Sequence, residues 1–191
     1  GGNWLPSNGS GATAIGCMVV KAINVIGSTL YAGTSCRYNS GLYKSTDNGA
    51  TWARIGTSVI PPDAEANSIL VNVTGTLVFF TTKNYGIFKS ADFGATWVQA
   101  NSGIADSNPN VFNIHFRTSR ETLLAYVQGQ GVYKSDDTGA TWFLSSTGLP
   151  SGAAALSGIS RHGSTTSPTF YASLDKQGIY RDVLLRIVER P

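Results

Sequence analysis

The chain repeats itself about every 45 residues, and this period restricts its fold more than any other feature of the sequence. A phrase made of glycine, an aliphatic residue, an aromatic residue and a basic residue begins at Gly41, Gly86, Gly131 and Gly178. Successive phrases begin 45, 45 and 47 residues apart. Two alternating runs precede each phrase, and a run that opens with Thr-Trp follows three of them. Each repeat therefore predicts four short strands.

The period and the composition favour an all-β fold, a β-propeller in which each repeat is one four-stranded blade. Leucine-rich repeats are shorter, at about 20–29 residues, and helical pairs take about 34. Charged residues make up only 13% of the chain and glycine occurs 22 times, which is typical of many turns and short strands. Residues 1–191 are predicted to form a single domain. The predicted blades are residues 15–57, 66–102, 109–147 and 154–191, the last completed by residues 1–8.

The tryptophans indicate how many blades to expect. Trp4, Trp52, Trp97 and Trp142 share one repeat position, with steps of 48, 45 and 45 residues. The last repeat ends before a tryptophan of its own, so residues 1–8 are expected to supply its outer strand. This predicts a closed ring of four blades, because joining the first and last strands leaves no open edge. The alternatives are four repeats of a propeller with about six to eight blades, or half of a ring completed by a second chain.

A turn motif of the form S-x-D-x-G-x-T-W occurs three times, at Ser45–Trp52, Ser90–Trp97 and Ser135–Trp142. It falls between the third and fourth strands, at the outer rim of a blade. Serine and aspartate oxygens accept backbone N–H groups at such turns, glycine adopts a positive φ, and tryptophan buries a ring between blades. The residues assigned this structural role are Ser45, Asp47, Gly49, Trp52, Ser90, Asp92, Gly94, Trp97, Ser135, Asp137, Gly139 and Trp142.

This motif resembles the Asp box, also called the bacterial neuraminidase repeat. The resemblance implies a propeller of the kind seen in sialidases, xyloglucan hydrolases, sortilin-type receptors, photosystem-assembly factors and many secreted bacterial proteins. In those families the box is a fold element on the face away from the active site. A structural role is therefore expected for Asp47, Asp92 and Asp137. The Phe-Arg-Ile-Pro signature of sialidases does not occur in this sequence, so sialidase activity is not expected.

Recognition is then expected on the opposite face, where the loops between the second and third strands converge around the central channel. Aromatic, amide and cationic side chains at the tips of these loops suit sugars or peptide segments. The alternative is that they are ordinary solvated turn residues. The candidate ligand-binding residues are Arg37, Tyr38, Asn39, Lys83, Asn84, Tyr85, Gln128, Gln130, Lys176 and Gln177.

The rival class is a glycoside hydrolase, or a fragment of one. Such an enzyme needs two carboxyl groups about 5 to 9.5 Å apart. Asp63, Asp106 and Asp175 lie in loops on the face opposite the repeated turn and are the candidates. These loops are rich in Pro, Ser, Asn and Gly, where an acidic residue more often forms a solvated turn. The sequence therefore favours a non-catalytic binding or scaffold module with a glycan or protein ligand.

Other classes of function find no support. The net charge is only +3 and the basic residues are scattered, so no nucleic-acid footprint is visible, and no apolar run approaches the ~18 residues of a membrane span. His115 and His162 have no cysteine or carboxylate at ligand spacing. We expect no metal, cofactor, nucleic-acid partner or membrane insertion. Membership of a larger chain or assembly stays open.

The two cysteines point to a disulfide. Cys17 precedes the first strand of the first blade and Cys36 follows the second, with the turn at Ile26 and Gly27 midway between them. Residues equidistant from a hairpin turn face each other with Cα atoms about 4.5–5.5 Å apart, within disulfide range. The sequence therefore predicts a Cys17–Cys36 disulfide and a secreted or cell-surface protein, the alternative being two free thiols.

Overall fold

The fold is described from a computed structural model, which covers residues 3, 5–116, 122–149, 156–162, 169–174 and 178–182. Within these ranges the chain forms fifteen strands and a single turn of 3-10 helix, Gly11–Thr13. The strands make four antiparallel sheets, each built from strands consecutive in the chain. The all-β prediction is confirmed. Over the same ranges, no helix has both the length and the hydropathy needed to cross a membrane.

The four sheets match the four predicted repeats and are called blades one to four. Blade one contains β1 (Val20–Ile26), β2 (Thr29–Thr34), β3 (Gly41–Ser45) and β4 (Ala53–Ile55). Blade two contains β5 (Ala66–Val71), β6 (Val78–Thr82), β7 (Ile87–Ser90) and β8 (Val98–Gln99). Blade three contains β9 (Val111–Phe116), β10 (Leu123–Val127), β11 (Gly131–Ser135) and β12 (Phe143–Leu144). Blade four contains β13 (Leu156–His162), β14 (Thr169–Leu174) and β15 (Gly178–Asp182).

The first strand of every blade is bulged at one repeat position, near its N-terminal end. The pairing with the second strand skips Lys21, Asn67, Phe112 and Ser157, each the second residue of its strand. A bulge bends its strand and changes the direction of a side chain. Four bulges at one position therefore give the four blades the same bend at the same end.

Neighbouring blades pack face to face through equivalent positions. Between blades one and two, Tyr31 and Leu42 share a core with Ile69, Phe80 and Phe88 of the following blade. Within the described residues, all five are buried. The next interface repeats this arrangement with Phe79 and Ile87 against Ile114, Ala125 and Tyr133, and the third with Leu124 and Val132 against Phe170, Ala172 and Tyr180. Burial between sheets therefore stabilises the stack of blades.

Ring closure through the N-terminus stays a prediction, because Trp4 lies outside the described residues. Blade four has three strands among the residues that the structure describes. The segment just after Trp4 lies against blade one, where the Trp52 indole N–H donates to the Ser7 carbonyl at 2.8 Å. The equivalent tryptophan of blade three, Trp142, donates in the same way to the carbonyl of Ala100 in blade two. Ser7 therefore occupies the position that follows the outer strand of a preceding blade.

Candidate functional site

The three repeated turns use their aspartates to hold their own backbone. In the first turn, Asp47 Oδ1 accepts hydrogen bonds from Ser45 Oγ at 2.7 Å and from the Thr51 N–H at 2.8 Å, and Oδ2 accepts one from Thr51 Oγ1 at 2.6 Å. Asp92 and Asp137 make the same three bonds at 2.8, 2.8 and 2.6 Å. Both oxygens of every carboxylate are therefore engaged within the turn.

The serine and tryptophan of each turn complete the arrangement. Ser45 Oγ accepts the Gly49 N–H at 2.9 Å, and Gly49 has φ +87, a backbone conformation that side chains resist. The Trp52 ring is buried, and its N–H also donates to the Gly49 carbonyl at 3.1 Å. The serine–glycine hydrogen bond and the positive φ of the glycine recur in the other two copies. Trp97 also donates to its own Gly94 carbonyl at 3.0 Å, whereas the Trp142 N–H donates to the Ala100 carbonyl at 2.9 Å.

The hydrogen bonds also fix the charge of these aspartates. Donation from the Thr51 hydroxyl, then from the Thr51 N–H, lowers the pKa of Asp47 to about 2. The equivalent threonines lower the pKa of Asp92 and Asp137 to about 2 as well. A carboxyl group with this pKa is ionised at neutral pH and holds no proton to give as a general acid. These three aspartates are therefore not suited to act as general acids.

The opposite side of the blades is called the loop face and carries residues 35–40, 83–86 and 128–130. The predicted disulfide lies here and is confirmed, with the Cα atoms of Cys17 and Cys36 6.1 Å apart. Ser40 Oγ accepts the Cys36 N–H at 2.6 Å, and the Tyr43 hydroxyl donates to the Asn39 carbonyl at 3.2 Å. The first loop of this face is therefore anchored at both ends.

The tip of that anchored loop presents an aromatic ring to solvent. Tyr38 is 74% exposed, and the Arg37 guanidinium lies 5.7 Å from the centre of its ring. The neighbouring Asn39 is exposed too and has φ +60, which asparagine tolerates better than most residues. A fixed loop thus displays an aromatic face, a cation and an amide side by side.

The second loop is joined to the blade-to-blade loop before β5. The Tyr85 hydroxyl donates to Asp63 Oδ2 at 2.8 Å, which raises the pKa of Tyr85. Lys83 Nζ lies 3.6 Å from Glu65 Oε2, and the same oxygen accepts from Ser35 Oγ of blade one at 2.9 Å. Polar contacts therefore run from blade one to blade two across the loop face. Asn84 is exposed at the tip of this loop.

The third loop has a comparable set of amide contacts. Asn110 Nδ2 donates to Gln128 Oε1 at 2.6 Å, and Asn67, the bulged residue of β5, donates to Asn110 Oδ1 at 2.8 Å. Gln130 Oε1 accepts the Tyr133 hydroxyl at 2.7 Å. Gln128 is exposed and Gln130 is half-buried. These contacts join blades two and three on the loop face.

One backbone hydrogen bond recurs on the loop face, between the residue after the second strand of a blade and the residue before its first strand. The N–H groups of Ser35, Lys83 and Gln128 donate to the carbonyls of Val19, Glu65 and Asn110 at 2.9, 2.9 and 2.8 Å. Glu65, Asn67 and Asn110 take part in these contacts but are not among the residues that the sequence pattern predicts for the site. The sequence signal that could have indicated them is their repeat position: Glu65 and Asn110 directly precede the first strand of a blade, and Asn67 lies within one.

The structure describes the contacts of two of the three candidate acids. Asp63 binds Tyr85, and Asp106 Oδ1 accepts the Asn108 N–H of its own turn at 3.0 Å. Asp175, Lys176 and Gln177 lie outside the described residues. His115 and His162 are in β9 and β13. Among the residues that the structure describes, no group of three or more His, Cys, Asp or Glu side chains is placed to hold a metal ion.

Comparison with known proteins identifies the fold. No protein-family model matches the chain, and no curated relative matches it. Among solved structures it is similar to an ancestral GH74 enzyme, with 17% identity and a TM-score of 0.68 over 86% of this chain and 23% of that one. It is also similar to YCF48 bound to D1 peptide, with 16% identity and a TM-score of 0.60 over 82% of this chain and 48% of that one.

A third similar structure is the extracellular domain of the putative one component system BT4673 from B. thetaiotaomicron. Its identity is 15% and its TM-score 0.64, over 85% of this chain and 20% of that one. The chain thus spans between a fifth and a half of these three proteins. All of them are β-propellers, and identities this low show the fold alone. The protein therefore has the β-propeller fold, as the period predicted.

Proposed function

We propose that this chain is a non-catalytic binding or scaffold module that works outside the cytosol and recognises a glycan or protein segment through its loop face. The observation that carries the proposal is the Arg37–Tyr38 pair, displayed on a loop that is anchored by the Cys17–Cys36 disulfide. Aromatic rings cover the apolar faces of sugars and peptide side chains, and a loop that is already ordered loses less entropy on binding.

The polar side chains beside this pair supply the second half of a recognition surface. Lys83, Asn84 and Gln128 are exposed on the neighbouring loops. Amides read hydroxyl groups and backbone peptide groups, while the ammonium group of lysine donates only. Asp63 and Glu65 orient Tyr85 and Lys83 on the second loop. The loop face therefore combines one protruding aromatic ring with a set of oriented donors and acceptors.

The extracellular part of the proposal rests on the disulfide. Disulfides persist in oxidising compartments and are uncommon in the cytosol. The BT4673 structures among the similar propellers are described as extracellular domains. Among the same similar structures, the ancestral GH74 protein is described as an enzyme. Binding is favoured over hydrolysis because Asp63 and Asp106 both have local hydrogen-bond partners and lie in loops that resemble solvated turns.

The experiment is a glycan array and a peptide array probed with the wild-type chain, a Tyr38→Ala variant and a Phe143→Ala variant. Phe143 is the matched control, because it is an exposed ring with Lys134 Nζ 5.4 Å from its centre, but it lies on the outer strand β12. We expect binding that weakens about tenfold or more on Tyr38→Ala and is unchanged on Phe143→Ala.

A panel of chromogenic glycosides tests the rival class on the same samples. Turnover that is lost on Asp63→Asn or Asp106→Asn would show a hydrolase and refute the proposal. Array binding that both ring variants weaken equally would move the site away from the loop face. Binding without turnover, lost only on Tyr38→Ala, is the outcome that the proposal requires.

A further inference from the structure

One repeat position is buried in two blades and exposed in the first. Ile69 and Ile114 lie in the first strands of blades two and three, facing the preceding blade, and they are 7% and 1% exposed. The equivalent residue of blade one is Ile23, since it pairs with Ala32 as Ile69 pairs with Phe80. Ile23 is 62% exposed. Half of a blade-to-blade interface is therefore open on blade one.

The last blade shows the opposite half of the same interface. Leu42, Ile87 and Val132 face the following blade from the third strands and are 0%, 0% and 6% exposed. Their equivalent in blade four is Ile179, which pairs with Ser173 as Leu42 pairs with Gly33. Ile179 is 76% exposed. The repeat position that the next blade buries in blades one to three is therefore exposed to solvent in blade four.

The described interfaces show that these two halves fit each other. Leu42 and Ile69 belong to one core between blades one and two, and Ile87 and Ile114 belong to one core between blades two and three. By the same rule, Ile179 is the partner for Ile23. Both side chains are aliphatic, and the register of their strands matches that of the packed pairs.

The outer strands of blade one are covered by a segment of the same chain, so only the inner part of the interface is open. Ile15 packs with Tyr43 and Trp52. Ile60 and Ile104, from the blade-to-blade loops, fill the same place beside Trp97 and Trp142. The segment before β1 thus covers the outer strands of blade one, as the end of a preceding repeat would. The surface that stays exposed is the inner one, with Ile23 and Val25. It matches the inner strands of another blade.

We propose that this surface binds blade four of a second copy of the chain, head to tail. The three described interfaces leave both Ile23 and Ile179 exposed in one chain, so neither side chain is covered by a blade of its own chain. The stack also covers 48% of the YCF48 chain, so a propeller-fold chain of about twice this length is known. A two-fold pair of such stacks places both open surfaces against their complements and closes a ring.

Sedimentation velocity over about 1 to 100 µM tests the proposal with the wild-type chain and three variants. Ile23→Glu and Ile179→Glu change exposed residues, so each chain should fold alone, which circular dichroism checks. Val73→Glu is the matched control, because Val73 is 88% exposed in the turn between β5 and β6. We expect a wild-type dimer that Val73→Glu preserves and that either isoleucine variant weakens at least tenfold.

Mixing the two isoleucine variants gives a second, independent readout. In the mixture, one of the two junctions joins an unchanged Ile179 to an unchanged Ile23, so a mixed pair should form where each variant alone is monomeric. A wild-type chain that is monomeric at every concentration would overturn the proposal. So would a dimer that both isoleucine variants leave intact. A monomer destabilised by Ile179→Glu would instead show closure within one chain.

Discussion

At the scale of single residues, each repeated turn is held together by the ionised carboxylate of its aspartate, which solvent can reach. Asp137 accepts three hydrogen bonds from Ser135 and Thr141, and its neighbour Asp136 instead pairs with Lys134 Nζ at 2.6 Å. The two adjacent acids therefore have different tasks. Asp137 replaces missing backbone partners inside the turn, while Asp136 takes part in a surface ion pair of the kind that contributes little to stability.

This difference predicts unequal effects of two neighbouring substitutions. Asp137→Ala removes the acceptor for the Thr141 N–H and should lower the melting temperature by about 2–4 °C or more. Asp136→Ala should lower it by less than about 1 °C, because an exposed ion pair is screened. Differential scanning calorimetry of both variants compares them directly. Equal losses would refute the structural role assigned to Asp137.

The same aspartates predict how stability depends on pH. Their folded pKa of about 2 lies below the ordinary value of about 3.9 in an unfolded chain. The unfolded chain therefore takes up protons first as the pH falls. The stabilisation is complete above about pH 5 and is lost as the pH falls towards 2. Urea unfolding at a series of pH values should show this decline, and it should be shallower in Asp137→Asn. A profile unchanged by that substitution would contradict the assignment.

At the scale of strands and loops, two glycines with the same backbone conformation differ in what surrounds them. Gly86 directly precedes the third strand of blade two, and Gly129 lies in the loop before the third strand of blade three; both have φ +77. A Cβ atom at Gly86 would clash with the Asn101 side-chain amide, whereas at Gly129 it would meet nothing within 4 Å. Asn101 in turn accepts the Ile87 N–H at 2.8 Å.

Alanine at these glycines separates backbone strain from crowding. Gly129→Ala should cost about 1 kcal/mol of unfolding free energy through the positive φ alone. Gly86→Ala should cost about 1–3 kcal/mol more, because it displaces the Asn101 amide from the Ile87 N–H. Urea unfolding measures both values. Similar costs would mean that Asn101 does not brace the second loop of the loop face.

The elements themselves were predictable because their signals are local. Glycine phrases and alternating runs predicted β3, β7, β11 and β15, and the hairpin geometry predicted the disulfide. The bulges at Lys21 and Asn67 and the Glu65–Lys83 contact depend on strand register, which no local pattern fixes. The candidate loop residues came from topology, and whether they bind a ligand depends on shape and partners that sequence spacing does not contain.

At the scale of the whole molecule, stability comes from one interface used repeatedly. Blades one, two and three each bury their following face against the next blade through equivalent positions. The sequence gives Ile23, Ile69 and Ile114 the same residue type, and only the stacking of blades makes the first one different from the others. Whether an isoleucine at this position is exposed therefore depends on whether another blade packs against it, and not on the sequence of its own strand.

Two alanine variants at one repeat position test this directly. Ile69→Ala should lower the unfolding free energy by about 2–4 kcal/mol, because it leaves a cavity between blades one and two. Ile23→Ala should change it by less than about 0.5 kcal/mol when the chain is dilute enough to be monomeric. Urea unfolding at a concentration where sedimentation velocity shows a monomer makes the comparison. Equal effects would refute the repeat-interface account.

The central claim is that the repeated turns are scaffold and that recognition lies on the loop face. Hydrogen–deuterium exchange of the chain, with and without the strongest ligand from the arrays, tests it most directly. The account predicts slower exchange at residues 35–40, 83–86 and 128–130, and unchanged exchange at the turns containing Asp47, Asp92 and Asp137. Protection confined to those turns, with the loop face unaltered, would contradict it.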